Sequence, residues 1–235
     1  MLVLRSLIFV VLFYLWSTLI SLSLTPLLLA PPKLSVQVMG VWSWGIRLLL
    51  RGICGIRVEL RGAQYVPKGP ALVAVKHLCM FDVFAQFSWL PYTCFVLKKE
   101  LKDIPFFGWF AMKARMLAVD RAGHAAALKK LVRQARERMT ENRQLVIFPE
   151  GTRGEPGVKG DYKPGIAALY RDLGMPVHPV ATNSGVHWPA HGFLRHPGVI
   201  VFEYLEPIPP GLKRAEFMRL LEDRIEDASN RLLPL

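Results

Sequence analysis

The chain opens on an almost unbroken apolar run. From Leu7 to Ala30 no charged residue occurs; Arg5 stands before the run and Lys33 after it. A helix of that length can cross about 30 Å of hydrocarbon. Pro26 would distort or end it, so the pattern predicts a helix from Leu4 to Thr25. A cleaved signal peptide is the rival reading, but its apolar region runs only about 7–15 residues, and Leu27-Leu28-Leu29-Ala30-Pro31-Pro32 lacks a small-x-small cleavage site. A membrane anchor fits better. A second apolar stretch, Val36 to Gly55, carries Trp42, Trp44, Arg47 and Arg51, a mixture suited to the headgroup layer. The two helices would form a hairpin dipping into one leaflet, or one span plus an interfacial helix; in the blander alternative the second packs on the core. Lys33, Arg47, Arg51, Arg57 and Arg61 outnumber Arg5, which places the remaining chain on the cytoplasmic side of the inner (cytoplasmic) membrane.

After Gly55 the pattern changes. Short apolar runs rich in Val, Ile and Leu predict strands at Ile56 to Leu60, Ala71 to Val75, Thr93 to Leu97, Met116 to Val119, Leu145 to Phe148, Val177 to Thr182 and Val199 to Tyr204. Helical stretches fall between several of them. Asp82 to Leu90 is one; Ala125 to Glu141 is another, with Leu128, Leu131, Val132, Ala135 and Met139 at helical spacing and a basic outer face. Ile166 to Leu173 is short, and Arg214 to Leu232 is an amphipathic closing helix. Gly- and Pro-bearing segments at Gly154 to Gly165 and Gly185 to Gly198 read as surface loops. Alternating strands and helices argue for an α/β fold, a mainly parallel sheet flanked by helices. The expected division is a pair of membrane-anchoring helices over residues 1–55 and an α/β domain over residues 56–235.

Composition narrows the chemistry. The formal net charge of +12 asks for an anionic partner: nucleic acid, an anionic membrane surface or a phosphorylated substrate. Nucleic acid is the poorest fit, because the chain has an anchor and no RNA- or DNA-binding motif. Cys54, Cys79 and Cys94 have no CxxC spacing, so they make neither a disulfide framework nor a zinc knuckle, and read as small buried side chains. No cluster with metal-ligand spacing occurs; His187 and His191 are too isolated.

Two strings carry the candidate chemistry. His77-Leu78-Cys79-Met80-Phe81-Asp82 follows one predicted strand, and Phe148-Pro149-Glu150-Gly151-Thr152-Arg153 another. Polar groups beyond the carboxyl ends of parallel strands are where α/β sheets place ligand sites. Asp82, expected in the first turn of the next helix, can turn back onto one imidazole nitrogen of His77 and leave the other to take a proton from an alcohol. No G-x-S-x-G elbow supplies a serine nucleophile, and Cys79 is expected to face away. Arg153 can grip a phosphate through parallel hydrogen bonds, and Glu150 can orient it or accept from a ligand hydroxyl. Asp120-Arg121, Lys98-Lys99 and Asn183-Ser184 close three further strands with groups suited to phosphate.

In these residues the chain resembles the glycerolipid acyltransferases, most closely the 1-acyl-sn-glycerol-3-phosphate acyltransferases. Their pattern is an H-x-x-x-x-D motif, an I-D-R-like motif, an F-P-E-G-T-R motif and a V-P-V-like motif, in that order. His77 with Asp82, Val119-Asp120-Arg121, Phe148 to Arg153 and Val177-His178-Pro179-Val180 match it, over Ile56 to Glu206. The resemblance implies that His77 and Asp82 form the catalytic dyad, and that Arg121, Glu150, Gly151, Thr152 and Arg153 hold the glycerol phosphate end of the acceptor, with Lys99 a further contact. It implies acyl-CoA or acyl carrier protein as donor substrate, no cofactor and no metal, and lysophosphatidic acid among membrane lipids as acceptor. Departures are Lys76 where Asn commonly precedes the histidine, Cys79 where Ser or Thr is frequent, His178 within the fourth motif, and Gly154 after the arginine. Phe106, Phe107, Trp109 and Phe110 either line an acyl groove or belong to the core or the membrane contact.

Acyl transfer to lysophosphatidic acid is thus the leading expectation. Another lysophospholipid, lyso-ornithine lipid or glycerol 3-phosphate would keep the chemistry and change the acceptor. A non-catalytic lipid-binding module would need the basic residues but not the dyad.

Overall fold

The computed structural model describes residues 1–120 and 124–234. Helix α1 spans Leu2–Leu24 and ends in a 3-10 turn over Thr25–Leu29, with Pro26 in its first positions. Helix α2, Pro32–Leu49, folds back along it. The approach is close: a methyl group on Gly45 would lie 2.2 Å from the Trp16 ring, so only glycine fits there. Trp16 Nε1 donates to Trp42 O at 3.0 Å and Trp42 Nε1 to Ser17 Oγ at 2.9 Å, giving both indoles partners across the pair.

Seven strands follow as predicted, within a residue or so at their ends: β1 Ile56–Arg61, β2 Ala71–Val75, β3 Thr93–Lys98, β4 Leu117–Val119, β5 Gln144–Ile147, β6 Val177–Thr182 and β7 Gly198–Tyr204. They form one sheet in the order β1-β7-β6-β2-β5-β3-β4. The five strands from β6 to β4 run parallel, while β7 lies antiparallel to β6 and carries β1 parallel to itself. Every residue of β2 and β5 is buried, as expected of parallel strands covered on both faces.

The helices between them are α3 Phe81–Gln86, α4 Phe107–Lys113, α5 His124–Thr140, α6 Pro164–Leu173, α7 Ser184–His187 and α8 Arg214–Arg231. Helix α3 stops short of the predicted Leu90: Phe87, Ser88 and Trp89 tighten into i→i−3 turns before Pro91. The aromatic cluster itself forms α4, which carried no predicted element. Phe110 faces the core, whereas Trp109 and Met112 are about half exposed.

The N-terminal helices share one continuous hydrophobic core with the sheet. Ser6 and Phe9 of α1 are buried; Phe9 meets Trp188 edge-on at 5.4 Å, and the backbone N–H of Arg195 donates to Ser6 Oγ at 2.9 Å. On α2, Val36, Met39, Ser43 and Ile46 are buried and Ser43 Oγ donates to Phe84 O at 2.6 Å, while Val41, Trp44 and Leu48 stay outside. The blander expectation for the second helix therefore holds for one of its faces. The opposite face of α1 exposes Leu4, Leu7, Val11, Leu15 and Leu22.

Candidate active site

Parallel pairing sends the carboxyl ends of β2, β3, β4, β5 and β6 to one edge of the sheet, so residues far apart in sequence converge there. His77 follows β2, whose neighbours are β6 and β5. Ser184 reaches it from one side, Phe148 and Glu150 from the other.

His77 Nδ1 lies 3.1 Å from Asp82 Oδ2, and its Nε2 has no partner among the described residues. The side chain is 15% exposed, open enough to meet a ligand. Phe148 stacks on the imidazole at 4.1 Å between centroids and 24° between planes, which fixes the ring's tilt. Asp82 sits in the first turn of α3 and is fully buried. Its Oδ2 also accepts the N–H groups of Leu78 at 2.6 Å and Cys79 at 2.7 Å; its Oδ1 accepts Cys79 Sγ–H at 3.6 Å and Ser184 Oγ–H. Five donors thus hold one carboxylate, and the loop from His77 to Asp82 winds around it. With both backbone amides donating, the tautomer that suits Asp82 puts the imidazole proton on Nδ1 and the lone pair on Nε2.

Glu150 has a different position from the one expected. It is 2% exposed and its Oε1 accepts the backbone N–H of His77 at 3.1 Å, while Oε2 pairs with Lys76 Nζ at 3.3 Å. Burial raises its pKa above the ordinary carboxylate value, and Lys76 and the His77 amide pull it back. The carboxylate braces the histidine from beneath and meets no open space, so it is not placed to grip an acceptor. Gly151 takes a left-handed conformation at φ 70°, which turns the chain outward, and Thr152 and Arg153 are exposed. Gly154 N then donates to His77 O at 2.8 Å, so the turn folds directly over the histidine. Among the described residues Arg153 makes one hydrogen bond, to Ala190 O at 3.2 Å, and its side chain is exposed.

Lys99 forms an ion pair with Asp120 at 2.5 Å at the ends of the adjacent strands β3 and β4, and this hydrogen bond raises the lysine pKa. Arg121 lies outside the described residues. Asn183 and Ser184 face inward: Asn183 ties β6 to β7 and to the end of α8 through Val199 O, Val201 N and Leu232 O, and Ser184 is spent on Asp82. Neither presents itself to a phosphate. Ser184 is the site residue that sequence reasoning assigned the wrong task; its position at a strand end was the available signal. Cys79 is buried beside Asp82, and burial together with that charge pushes its thiol pKa well up, leaving an inert side chain. His178 hydrogen-bonds Tyr65 O at 2.8 Å, and burial lowers its pKa. Among the described residues no group of three or more His, Cys, Asp or Glu is arranged to hold a metal ion.

Comparison with known proteins identifies the family and the fold. A 1-acyl-sn-glycerol-3-phosphate acyltransferase of Pseudomonas aeruginosa is 38% identical over 65% of this chain and 59% of its own length. One from Limnanthes alba is 29% identical over 77% of this chain and 65% of its own. The chain thus spans somewhat under two thirds of these relatives. The crystal structure of the 1-acyl-sn-glycerophosphate acyltransferase PlsC from Thermotoga maritima superposes with a TM-score of 0.80 over 99% of both chains at 19% identity, which establishes the shared fold. The sequence profile of the acyltransferase family matches residues 57–183, a span that starts in β1, runs through the His77–Asp82 pair and the Phe148–Arg153 turn and ends at the carboxyl end of β6. Covering more than half of the chain and both candidate motifs, that match makes the protein a member of the acyltransferase family.

Proposed function

We propose that the protein is a membrane-associated 1-acyl-sn-glycerol-3-phosphate acyltransferase, moving a fatty acyl group from acyl-CoA or acyl carrier protein to the sn-2 hydroxyl of lysophosphatidic acid and giving phosphatidic acid. The observation that carries this is the His77–Asp82 pair, bound at Nδ1 and open at Nε2. His77 and Asp82 are the catalytic residues. The acceptor hydroxyl gives its proton to Nε2 as its oxygen bonds to the thioester carbonyl carbon, and Asp82 stabilises the imidazolium that results. The tetrahedral intermediate collapses with cleavage of the carbon–sulfur bond, and the departing thiolate takes the proton back from Nε2. No acyl-enzyme is needed, which agrees with the buried state of Cys79. The names of the relatives support lysophosphatidic acid as acceptor.

Membrane association is supported by surface character. Helix α1 packs on α2 and α2 on α4, and together they expose the apolar face of α1 with Trp44, Trp109 and Met112. A patch of that size, rimmed by a chain of net charge +12, fits an anionic lipid surface. Because the inner face of α1 is occupied by the domain from Ser6 to Phe13, the hairpin would lie within one leaflet on the cytoplasmic side of the inner membrane.

The test is transfer from labelled acyl-CoA and acyl carrier protein to a panel of acceptors by the purified chain, with and without anionic vesicles. Phosphatidic acid formed from lysophosphatidic acid, with the protein floating with the vesicles, is the expected result. Product from another lysolipid or glycerol 3-phosphate alone would move the acceptor; no product from a folded protein would refute the proposal. In the same assay Arg153→Ala is expected to raise the acceptor KM about tenfold or more, the loss of a charge-assisted contact of about 1.5–3 kcal/mol, with the donor KM within twofold. An equal rise in both would contradict the phosphate role. Ser184→Ala removes one of five donors to Asp82 and should lower kcat about tenfold at unchanged KM, by the same arithmetic; an unchanged kcat would mean the other four suffice.

A further inference from the structure

Building on the acyl-transfer proposal, we infer that Lys76, Glu150 and Glu226 form a buried ionic brace in which Lys76 and Glu226 are positioning residues for the catalytic histidine. Lys76 is the residue immediately before His77 and is 2% exposed. Its backbone N–H donates to Val180 O at 2.9 Å, locking it to β6. Its side chain runs the other way. Nζ lies 2.8 and 2.9 Å from the two carboxylate oxygens of Glu226, 3.3 Å from Glu150 Oε2 and 3.4 Å from Val158 O, so its three protons all have acceptors. Tyr162 OH donates to Glu226 Oε1 at 3.0 Å and holds that carboxylate from a further side.

The consequence reaches the chemistry through Glu150. One oxygen of that carboxylate takes the lysine; the other takes the backbone N–H of His77. The peptide before the imidazole is thereby fixed by a buried carboxylate whose counter-charge is the Lys76 ammonium. Remove the cation and two buried carboxylates are left without a counter-charge, an arrangement relieved by taking up a proton or parting. Either response loosens the N–H contact that sets the ring's approach to Asp82 and to the acceptor. Glu226 belongs to α8, beyond the residues 57–183 that the family profile matches, so this brace ties the closing helix to the dyad. A lysine here and a glutamate in α8 are understood together, each as the counter-charge of the other.

The experiment measures kcat, acceptor KM and melting temperature of the full chain for Lys76→Gln, Glu226→Gln and the double variant, after the wild-type rate. An inactive wild type would end the acyl-transfer proposal and this one with it; an active wild type isolates the brace. Lys76→Gln should lower kcat at least thirtyfold with the acceptor KM within twofold. Adding Glu226→Gln should restore at least fivefold of that loss, since a single carboxylate then faces two amides. A lower melting temperature with unchanged kcat, or a double variant no better than Lys76→Gln, would reduce the cluster to a staple of the core. Should Lys76→Gln not fold, Glu226→Asp decides, as it keeps the charge and withdraws it by one methylene. A kcat loss of at least fivefold at constant KM is expected, and an unchanged kcat overturns the inference.

Discussion

Replacing His77 by alanine is expected to lower kcat about 10³-fold, within the range of 10²–10⁴ that a positioned general base supplies. The fold should survive. Among the described residues the ring makes one hydrogen bond, to Asp82, and one stacking contact, with Phe148, so its loss should cost only about 1–2 kcal/mol of stability. The backbone contacts of residue 77, from its N–H to Glu150 and from its C=O to Gly154 N, do not involve the side chain and remain. The measurement is single-turnover transfer beside a melting curve. A folded variant that keeps more than a tenth of the wild-type rate would remove His77 from the chemistry.

Asp82→Asn should cost about as much, roughly 10²–10⁴-fold in kcat, for a different reason. An asparagine oxygen in place of Oδ2 can still accept the N–H groups of Leu78 and Cys79, and Ser184 can rotate its hydroxyl to accept from the amide. The loop therefore keeps its shape, while the imidazolium formed during transfer loses the negative charge beside it. Asp82→Ala differs: it strips two buried backbone donors of their acceptor as well, and should melt several degrees lower than Asp82→Asn. Equal kcat in Asp82→Asn and wild type would assign the carboxylate to loop shape alone; unequal melting of the two variants separates the two duties.

The sheet was legible because its central strands β2 and β5 are short runs made almost wholly of Val, Ile, Leu and Ala, while β1 alternates apolar residues with charges, and such patterns have few other uses. The reversal of β7 and β1 was not, since a strand's direction leaves no mark in its composition. The dyad could be read because its two members lie one loop apart. Ser184, by contrast, meets Asp82 only because β6 pairs with β2, a fact of topology that local sequence does not carry. Glu150 shows the opposite difficulty. Its residue type and motif were visible, but whether its carboxylate points out to a ligand or back beneath His77 depends on Lys76 and Glu226, and the latter lies on a helix whose pattern records only amphipathicity. The aromatic segment around Trp109 hid a short helix because apolar residues occupy both its buried and its exposed faces.

The contact between Ser6 and Arg195 joins residues 189 positions apart. During synthesis α1 leaves the ribosome long before Trp188 and Arg195 exist; at about 5–20 residues per second the wait is roughly 10–40 s. Over that interval α2 is there to cover one side of it, but the apolar face that later meets Trp188 and Arg195 lacks those partners, and lipid is the natural shelter. Under the proposed membrane association, the helix reaches the bilayer first, and the sheet assembles afterwards against a piece of itself already waiting at the surface.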